Sequence, residues 1–381
     1  MKSDKTTPNV PTLRFPNYNG EWQKTVMGKV CSFRKGYGIA KDDLSSDGTP
    51  CILYGELYTT YKTAIAKTIK SKTSIQSKSL VYSQKDDVII PCSGETAEDI
   101  ATSICVPYDG VLLGGDLTVV HSDLDGAFLS NQINSVRKYD IARIAQGKSI
   151  VHLQADELKK IFIFYPSIQE QRKISAFIDK IDERIEIQNK IIEDLKVLKK
   201  ELNYSLIGRI INGKSSNCKI EDVIDYEQPT NYIVKSDKYI ENGETPVLTA
   251  NKAFLLGYTI ENEGVYNKSD CIILDDFTLD FKYVNFPFKI KSSAIKILTA
   301  KKDIELRYFY EYLLFLGLTS HEHKRHYISE IAPLPLYLPS IDEQRNALSV
   351  LNSISEKIKV EENYIIALKA QKCFFLRAMF I

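Results

Sequence analysis

Three histidines lie close together in the string HEHKRH, at His321, His323 and His326. Imidazole nitrogens at short spacing are common zinc ligands, but a structural zinc site needs four ligands. The sequence offers no cysteine pair or second histidine group to complete such a set. Lys324 and Arg325 stand between the histidines, and their positive charges repel a cation. We therefore predict no metal site and interpret the segment as a basic surface loop.

Other strings that could indicate catalysis are each incomplete. Asn285–Phe288, NFPF, lacks one proline of the Asn-Pro-Pro-aromatic motif that holds a flipped base in amino-methyltransferases, and no glycine-rich strand-to-helix turn precedes it. The segment 112–118, LLGGDLT, matches neither G-x-G-x-x-G nor the phosphate loop G-x-x-x-x-G-K-[ST]. The nuclease pattern P-D…(D/E)-x-K is not evident either. We therefore predict no catalytic residues in this chain and no ATP hydrolysis.

Composition places the chain among cytoplasmic proteins of two domains or one duplicated domain. It has 381 residues, of which 44% are hydrophobic and 26% charged, with a net charge of +1. The seven cysteines never form a C-x-x-C pair, which favours a reducing compartment. The first residues contain no apolar run typical of a signal peptide. No stretch of about 18 apolar residues occurs, so we expect no membrane partner.

One motif occurs twice, as PSIQEQR at 166–172 and as PSIDEQR at 339–345. Each copy places a serine three residues before a glutamate, which is the capping box of a helix N-terminus. The preceding proline keeps the chain before the cap extended. Both copies therefore predict the start of a helix.

The residues after each motif form a narrow apolar stripe with spacings of three and four. In the first copy Leu198, Leu202 and Leu206 extend this stripe. The pattern is typical of a coiled-coil seam, so we expect the two helices to pair with each other. The alternative is that each helix packs on its own globular half. The predicted seam residues are Ile174, Ile178, Ile181, Ile185, Ile192, Leu195, Leu348, Leu351, Ile354, Ile358, Ile365 and Leu368.

The remaining segments, 23–165 and 213–338, have a different composition. They are rich in Tyr, Ile, Val and Thr in short runs that are broken by Gly, Asp, Asn and Pro, which is typical of strands and turns. The strings DDVIIP and SDCIIL occupy comparable places in the two segments. The sequence therefore predicts a globule, a long helix, a second globule and a matching long helix.

This organisation resembles the specificity subunit of type I restriction-modification systems. The resemblance rests on the duplicated P-S-I-x-E-Q motif and on 13–30, LRFPNYNGEWQKTVMGKV, which is similar to that family's N-terminal lead-in. It implies an α+β fold, in which two mixed α/β target recognition domains are separated by two long helices that form an antiparallel coiled coil with pseudo-twofold symmetry. The implied segments are 1–22 as lead-in, 23–165 and 213–338 as recognition domains, and 166–212 and 339–381 as helices.

The resemblance also implies a function in defence against foreign DNA, without chemistry in this chain. Each recognition domain would read half of a bipartite target in double-stranded DNA, while the coiled coil sets the spacing and docks two methyltransferase subunits. No cofactor would be bound here. S-adenosylmethionine would belong to the methyltransferases, and ATP and Mg to a restriction subunit, which is a further candidate partner.

Two acid-free stretches, 57–85 and 281–302, each contain six lysines and could contact phosphates. Lys62 and Lys282 are the candidates from these stretches, and the HEHKRH loop adds Lys324 and Arg325. This loop and 146–152, QGKSIVH, precede the two helices at comparable distances and are candidates to face the duplex. The candidates for base contact are Lys35, Tyr37, Lys41, Tyr54, Glu56, Tyr58, Ser93, Thr96, Thr230, Tyr232, Thr249, Asn251, Lys252 and Tyr258.

Two other functions remain open from the residues alone. A single-chain enzyme could combine similar recognition domains with its own modifying activity, although the two globules and two helices leave little room for it. A coiled-coil scaffold without DNA is the second alternative. Turnover of S-adenosylmethionine by the isolated protein would favour the first alternative.

Overall fold

The computed structural model describes residues 9–147, 151–251, 253–301, 303–320, 322 and 324–381. The chain divides into two units. The first unit consists of the chain up to Asn189 together with Asn363–Ile381. The second unit is Lys190–Glu362. The boundaries therefore fall inside both long helices, so each unit contains part of each helix. The five-segment division expected from the sequence stays a prediction.

Most strands of the first unit are short, as the broken apolar runs of the sequence predict. They are β1 (Gln23–Val26), β2 (Cys31–Lys35), β3 (Leu44–Ser45), β4 (Thr49–Ile52), β5 (Ser71–Thr73), β6 (Asp87–Pro91), β7 (Ser93–Gly94), β8 (Ile104–Val106), β9 (Leu112–Leu113), β10 (Leu117–Ser122), β11 (Val151–His152) and β12 (Phe162–Tyr165). The strands of the second unit are β13 (Cys218–Lys219), β14 (Ile224–Glu227), β15 (Thr245–Leu248), β16 (Leu255–Thr259), β17 (Cys271–Asp275), β18 (Phe281–Val284), β19 (Lys289–Ile290), β20 (Ile295–Ala300) and β21 (Pro335–Leu336).

Two helices are far longer than the others. The helices are α1 (Met27–Val30), α2 (Glu56–Thr59), α3 (Ala97–Ile100), α4 (Gly126–Asn134), α5 (Lys138–Ile144), α6 (Ala155–Leu158), α7 (Ile168–Ile211), α8 (Ile220–Val223), α9 (Leu306–Leu316) and α10 (Ile341–Met379). Short 3₁₀ turns occur at Lys41–Asp43 and Pro229–Tyr232, and a π turn occurs at Tyr327–Ile331. None of the helices in the described ranges is long and apolar enough to cross a membrane.

The two units repeat one topology. The main sheet has the order β2-β10-β6-β8 in the first unit and β14-β20-β17-β18 in the second, and all neighbours are antiparallel. A second sheet contains one parallel pair in each unit, β4 with β9 and β15 with β19. A short ribbon, β1 with β12 or β13 with β21, precedes the next long helix. The repetition confirms the predicted duplicated α+β fold.

The central strands explain why the apolar runs DDVIIP and SDCIIL fold alike. All five residues of β6 are buried, as are the first four of β17. A strand covered on both faces needs a nearly continuous apolar run rather than an alternating one. Each run therefore forms the interior of a main sheet.

The two long helices begin differently. At the second, Ser340 forms the predicted capping box, since the Glu343 amide donates to Ser340 Oγ at 3.3 Å and the Ser340 amide donates to Glu343 Oε2 at 2.9 Å. At the first, Glu170 instead accepts two hydrogen bonds from Arg14, from Nε and from an Nη, both at 2.7 Å. The capping box predicted at Ser167 is therefore wrong, because a distant guanidinium, 156 residues away, occupies the carboxylate.

Within each unit the two long helices run antiparallel. In the first unit the rings of Phe177 and Phe375 lie 4.9 Å apart, and Asp182 pairs with Lys372 at 2.5 Å. In the second unit Lys196 pairs with Glu362 at 2.7 Å, while Ile207 shares an apolar cluster with Leu348. Partner numbers fall along α10 as they rise along α7, which is the antiparallel arrangement that the resemblance implied.

Most of the predicted seam is buried. Only Ile185, Leu195 and Ile354 among the twelve predicted positions are partly exposed. The expected continuation through Leu198 is wrong, because this side chain is 48% exposed. Asn203 and Ile207 are buried instead, at 3% and 0%. The reason is that α9 packs on this part of α7, where Asn203 Nδ2 donates to the Glu311 carbonyl and to Glu311 Oε2, both at 2.9 Å.

Candidate nucleic-acid interface

A groove of about 680 Å³ on the first unit contains one predicted base-contact residue, Lys35. It lies between the ends of β2 and β10 and the pair of β7 and β11, and its lining includes Cys92, Asp116, His152 and Gln154. The side chains of Lys35, His152 and Gln154 are exposed. We call this the first-unit groove.

The neighbours of the first-unit groove determine which charges remain available. Arg34, beside Lys35, binds the fully buried Asp87, whose other oxygen lies 2.8 Å from His121 Nδ1. Within the described ranges Lys35 forms no ion pair, so its ammonium is available to an acceptor in the groove. Burial raises the pKa of Cys92, with Thr118 and Lys35 acting in the opposite direction and Asp116 adding to the rise. Cys92 therefore remains a neutral thiol near pH 7.

His152 and Gln154 were not among the predicted site residues. His152 closes the segment QGKSIVH, whose position before α7 was the only signal in the sequence. Strand β11 places it by pairing His152 with Ser93, and the His152 amide also donates to the Gln146 carbonyl at 2.7 Å. Residues 148–150 of this segment lie outside the described ranges. Histidine and glutamine side chains can both donate and accept hydrogen bonds, as base edges require.

Several other candidates in the first unit have structural partners. Glu56 accepts from the Leu53 amide at 2.8 Å and from Ser71 Oγ at 2.7 Å. Thr96 caps α3 by accepting from the Asp99 amide at 3.1 Å. Lys62 Nζ donates to the Tyr58 carbonyl at 3.0 Å. These contacts stabilise turns, and whether any of the side chains also reaches DNA stays a prediction.

The tyrosines of the first unit lie beside these turns. Burial raises the pKa of Tyr58, and smaller contributions come from Tyr54, Asp99 and Glu95. Tyr54 is 37% exposed, Tyr37 is half-buried, and Ser93 is buried. Lys41 is exposed in its 3₁₀ turn.

The candidates of the second unit differ in exposure. Thr230 and Asn251 are exposed, Tyr258 is half-buried and Thr249 is buried. Tyr232 is 6% exposed, because its ring packs against Tyr266 at 5.2 Å and its hydroxyl donates to Glu227 at 2.8 Å. The Asn251 side chain accepts from the Ala253 amide at 3.0 Å, which closes the turn between β15 and β16. Lys252 lies outside the described residues.

The lysine-rich stretch 281–302 is largely engaged within the second unit. Lys289 and Lys296 are each 1% exposed. Lys289 Nζ lies 3.0 Å from Glu261, and Lys296 Nζ lies 3.4 Å from Asp276. The expectation that these lysines could contact phosphate is wrong, because their acidic partners come from outside the stretch. Lys282 is half-buried and stays a candidate, and Lys302 lies outside the described residues.

In the stretch 57–85, Lys67 forms ion pairs with two residues of α7. Lys67 Nζ lies 2.6 Å from Asp179 and 2.9 Å from Glu183. Hydrogen bonds from Lys180 and then Lys67 lower the pKa of Glu183 to about 2. Lys67 therefore joins the segment between α2 and β5 to the long helix α7, which makes it a poor candidate for a phosphate contact. Lys70, Lys72 and Lys78 are exposed.

The HEHKRH loop is only partly described, since His321 and His323 lie outside the described residues. His326 is buried, and its Nδ1 lies 2.7 Å from Glu330. Lys324 pairs with Glu322 at 2.7 Å and with Glu330 at 2.8 Å, whereas Arg325 is exposed. In the part of the chain that the structure describes, no group of three or more His, Cys, Asp or Glu side chains could hold a metal.

Comparison with known proteins gives consistent matches. Residues 19–197 match the family model for the type I restriction modification DNA specificity domain. The specificity subunit of the type I restriction enzyme EcoR124I/EcoR124II from Escherichia coli is 40% identical over 139 residues. That alignment covers 35% of this chain and 34% of the relative, so the match spans about a third of the relative's length.

Solved structures match over nearly the whole chain. The S subunit of a type I restriction-modification system from M. genitalium has a TM-score of 0.61 and 17% identity, and the match covers 98% of this chain and 99% of that one. A structure described as the basis of complex assembly and conformational transition of the type I R-M system has a TM-score of 0.57 and 16% identity, with 93% and 96% covered. At these identities the likeness concerns the fold. The comparisons therefore show a type I restriction modification DNA specificity domain over residues 19–197 and, for the whole chain, a fold like that of the solved S subunits.

Proposed function

We propose that this chain is the DNA recognition subunit of a type I restriction-modification complex, in which each unit reads one half of a bipartite target. The observation that carries this proposal is the repetition of one sheet topology in the two units, each on a different sequence. Two units with the same fold but different surface residues could each recognise a different half-site. Joining two weak readers also raises the overall affinity, because the second contact becomes intramolecular.

In the first unit, base recognition is proposed for the first-unit groove. Glutamine can form two hydrogen bonds with adenine, and lysine can donate to guanine O6 and N7. Gln154 and Lys35 supply these groups in the groove, and His152 adds a donor or an acceptor according to its tautomer. Exposed lysines around the groove would contact phosphates, which position a protein on DNA without reading its sequence.

The chemistry is proposed to reside in partner subunits. Two methyltransferase subunits would bind S-adenosylmethionine and methylate adenine, and a restriction subunit would use ATP and Mg. The two long helices, of 44 and 39 residues, would dock the methyltransferases and set the spacing of the half-sites. This chain would then contribute no catalytic residue and bind no cofactor.

Co-expression with a type I methyltransferase subunit tests this proposal. We expect a complex with two methyltransferase chains per copy of this protein, measured by native mass spectrometry. Sequencing of modified bases in the same cells should show methyladenine at one two-part motif, and cells with the methyltransferase alone should lack that motif. Methylation without a two-part motif would contradict the proposal. Turnover of S-adenosylmethionine by the isolated chain would favour a single-chain enzyme instead.

A further inference from the structure

The glutamine of the duplicated motif is buried in both units. In the first unit Gln171 is 2% exposed. Its Nε2 donates to the Pro166 carbonyl at 2.9 Å, and its Oε1 accepts from the Asp125 amide at 3.0 Å. Asp125 is the residue that caps α4, through a hydrogen bond from the Phe128 amide to its Oδ1 at 2.8 Å. Gln171 therefore joins the start of α7 to a helix of the recognition domain.

The second unit repeats this contact with different neighbours. Gln344 is 0% exposed, and its Nε2 donates to the carbonyls of Pro339 and Asp303, both at 3.0 Å. Its Oε1 accepts from the amide of Glu305 at 2.8 Å. Glu305 is the N-cap residue of α9, so the same atom of the same motif residue binds the equivalent backbone amide.

A second contact reinforces each glutamine. Ser175 Oγ donates to Asp125 Oδ1 at 2.6 Å, and Arg345 Nε donates to Glu305 Oε1 at 2.8 Å. Each long helix therefore binds both the backbone and the side chain of the cap residue of a domain helix. The residue that makes this second contact is a serine in the first unit and an arginine in the second, whereas the glutamine is the same in both units.

The amide group suits this position for a physical reason. It must donate to the carbonyl of its own motif and accept from a domain amide at the same time, and the Gln side chain carries an NH₂ donor and a carbonyl acceptor in fixed geometry. A buried backbone amide without a partner is costly, so the domain is held where the glutamine can reach it. The contact is directional, unlike apolar packing, and fixes an orientation as well as a distance.

We propose that Gln171 and Gln344 are positioning residues for target recognition, each of which fixes the recognition domain of its own unit on the following long helix. Each glutamine thereby controls the fidelity with which one half-site is read. This inference rests on the proposed function. It predicts that a defect in one glutamine affects only the half-site read by that unit.

The test replaces each glutamine with methionine, which has a similar length and no amide, in the full complex with the methyltransferase. For Gln171→Met we expect methylation at sites with one wrong base in one half-site to rise about tenfold, as for a loss of roughly 1.4 kcal/mol of discrimination, while the other half-site is read as before. Gln344→Met should show the same change in the opposite half-site. The readout is modified-base sequencing of genomic DNA.

Matched controls are Gln169→Met and Asn346→Met, which alter an exposed residue within the first motif and an exposed residue next to the second, and should keep the wild-type pattern. Ser175→Ala and Arg345→Ala replace the glutamine variants if these do not fold, and should show the same half-site selectivity with a smaller change. Wild-type fidelity in all variants, or an equal loss at both half-sites, would overturn the inference. Absence of two-part methylation with the wild-type chain would instead refute the proposed function.

Discussion

Buried lysines form ion pairs in the interior of the second unit. Lys296 Nζ lies 3.4 Å from Asp276 Oδ2 and donates to Gln228 Oε1 at 3.0 Å. The other carboxylate oxygen, Asp276 Oδ1, accepts from the amides of His326 and Tyr327, at 3.0 and 2.7 Å. One carboxylate therefore joins β20 to the segment that leads towards α10. Removing one partner of such a pair leaves a buried charge uncompensated, which is strongly destabilising.

The first prediction separates this structural lysine from a candidate DNA contact. Lys296→Met should lower the free energy of unfolding by about 3 kcal/mol, because it leaves Asp276 without its cation. Lys282→Met, at a half-buried position in the same stretch, should change it by less than about 1 kcal/mol. Urea denaturation of both variants measures the difference. Equal stability of the two variants would show that the ion pair contributes little.

The long helices combine an apolar seam with buried polar positions. Gln188 and Asp182 are 5% and 7% exposed within the seam of the first unit. Burial is the main cause of the raised pKa of Asp182, although Lys372 opposes it. Polar groups at such positions weaken a seam but restrict its alternatives, since a shifted register would leave them without partners. The buried polar residues therefore favour one register, in which particular residues of α10 face α7.

The second prediction tests where the seam runs in the second unit. Leu351 is 0% exposed, so Leu351→Ala should lower the free energy of unfolding by about 2–5 kcal/mol through lost burial and a cavity. Leu198→Ala removes the same atoms from a side chain that is 48% exposed, and should cost less than about 1 kcal/mol. Thermal and urea unfolding provide the comparison. A large loss for Leu198→Ala would restore the seam first expected from the sequence.

At the scale of the whole molecule, the chain contains two copies of one plan and no complete catalytic motif. The two long helices are the elements that both units share. Under the proposed function this arrangement separates two tasks, because the domains select bases while the helices determine how far apart the half-sites lie. Each task can then change without the other.

The third prediction follows from this separation. A seven-residue insertion in α7 alone lengthens that helix by about 10 Å at 1.5 Å per residue. We expect such a variant either to lose methylation or to methylate a target with a changed spacer, while the bases of both half-sites stay the same. Modified-base sequencing gives the result directly. A change in the half-site bases would contradict the division of tasks.

Features encoded by neighbouring residues could be predicted from the sequence. The duplicated motif and the apolar period predicted helices at 166–212 and 339–381, and the structure has Ile168–Ile211 and Ile341–Met379. The apolar period and, at Ser340, the capping box act over a few residues, so they can be recognised without knowledge of the fold. Short apolar runs between turn residues likewise predicted the strands of both globules.

The tertiary structure decided which polar side chains are available for a function. Lys289 forms an ion pair with Glu261, which lies outside the lysine-rich stretch 281–302. Glu170 forms an ion pair with Arg14, which lies outside the motif that predicted a capping box. The first-unit groove joins Lys35 to His152, which are far apart in the sequence. Local rules specify which segments become helix or strand, whereas burial and pairing depend on contacts between distant segments. The helices were therefore determined by the sequence itself, and the first-unit groove only by the fold.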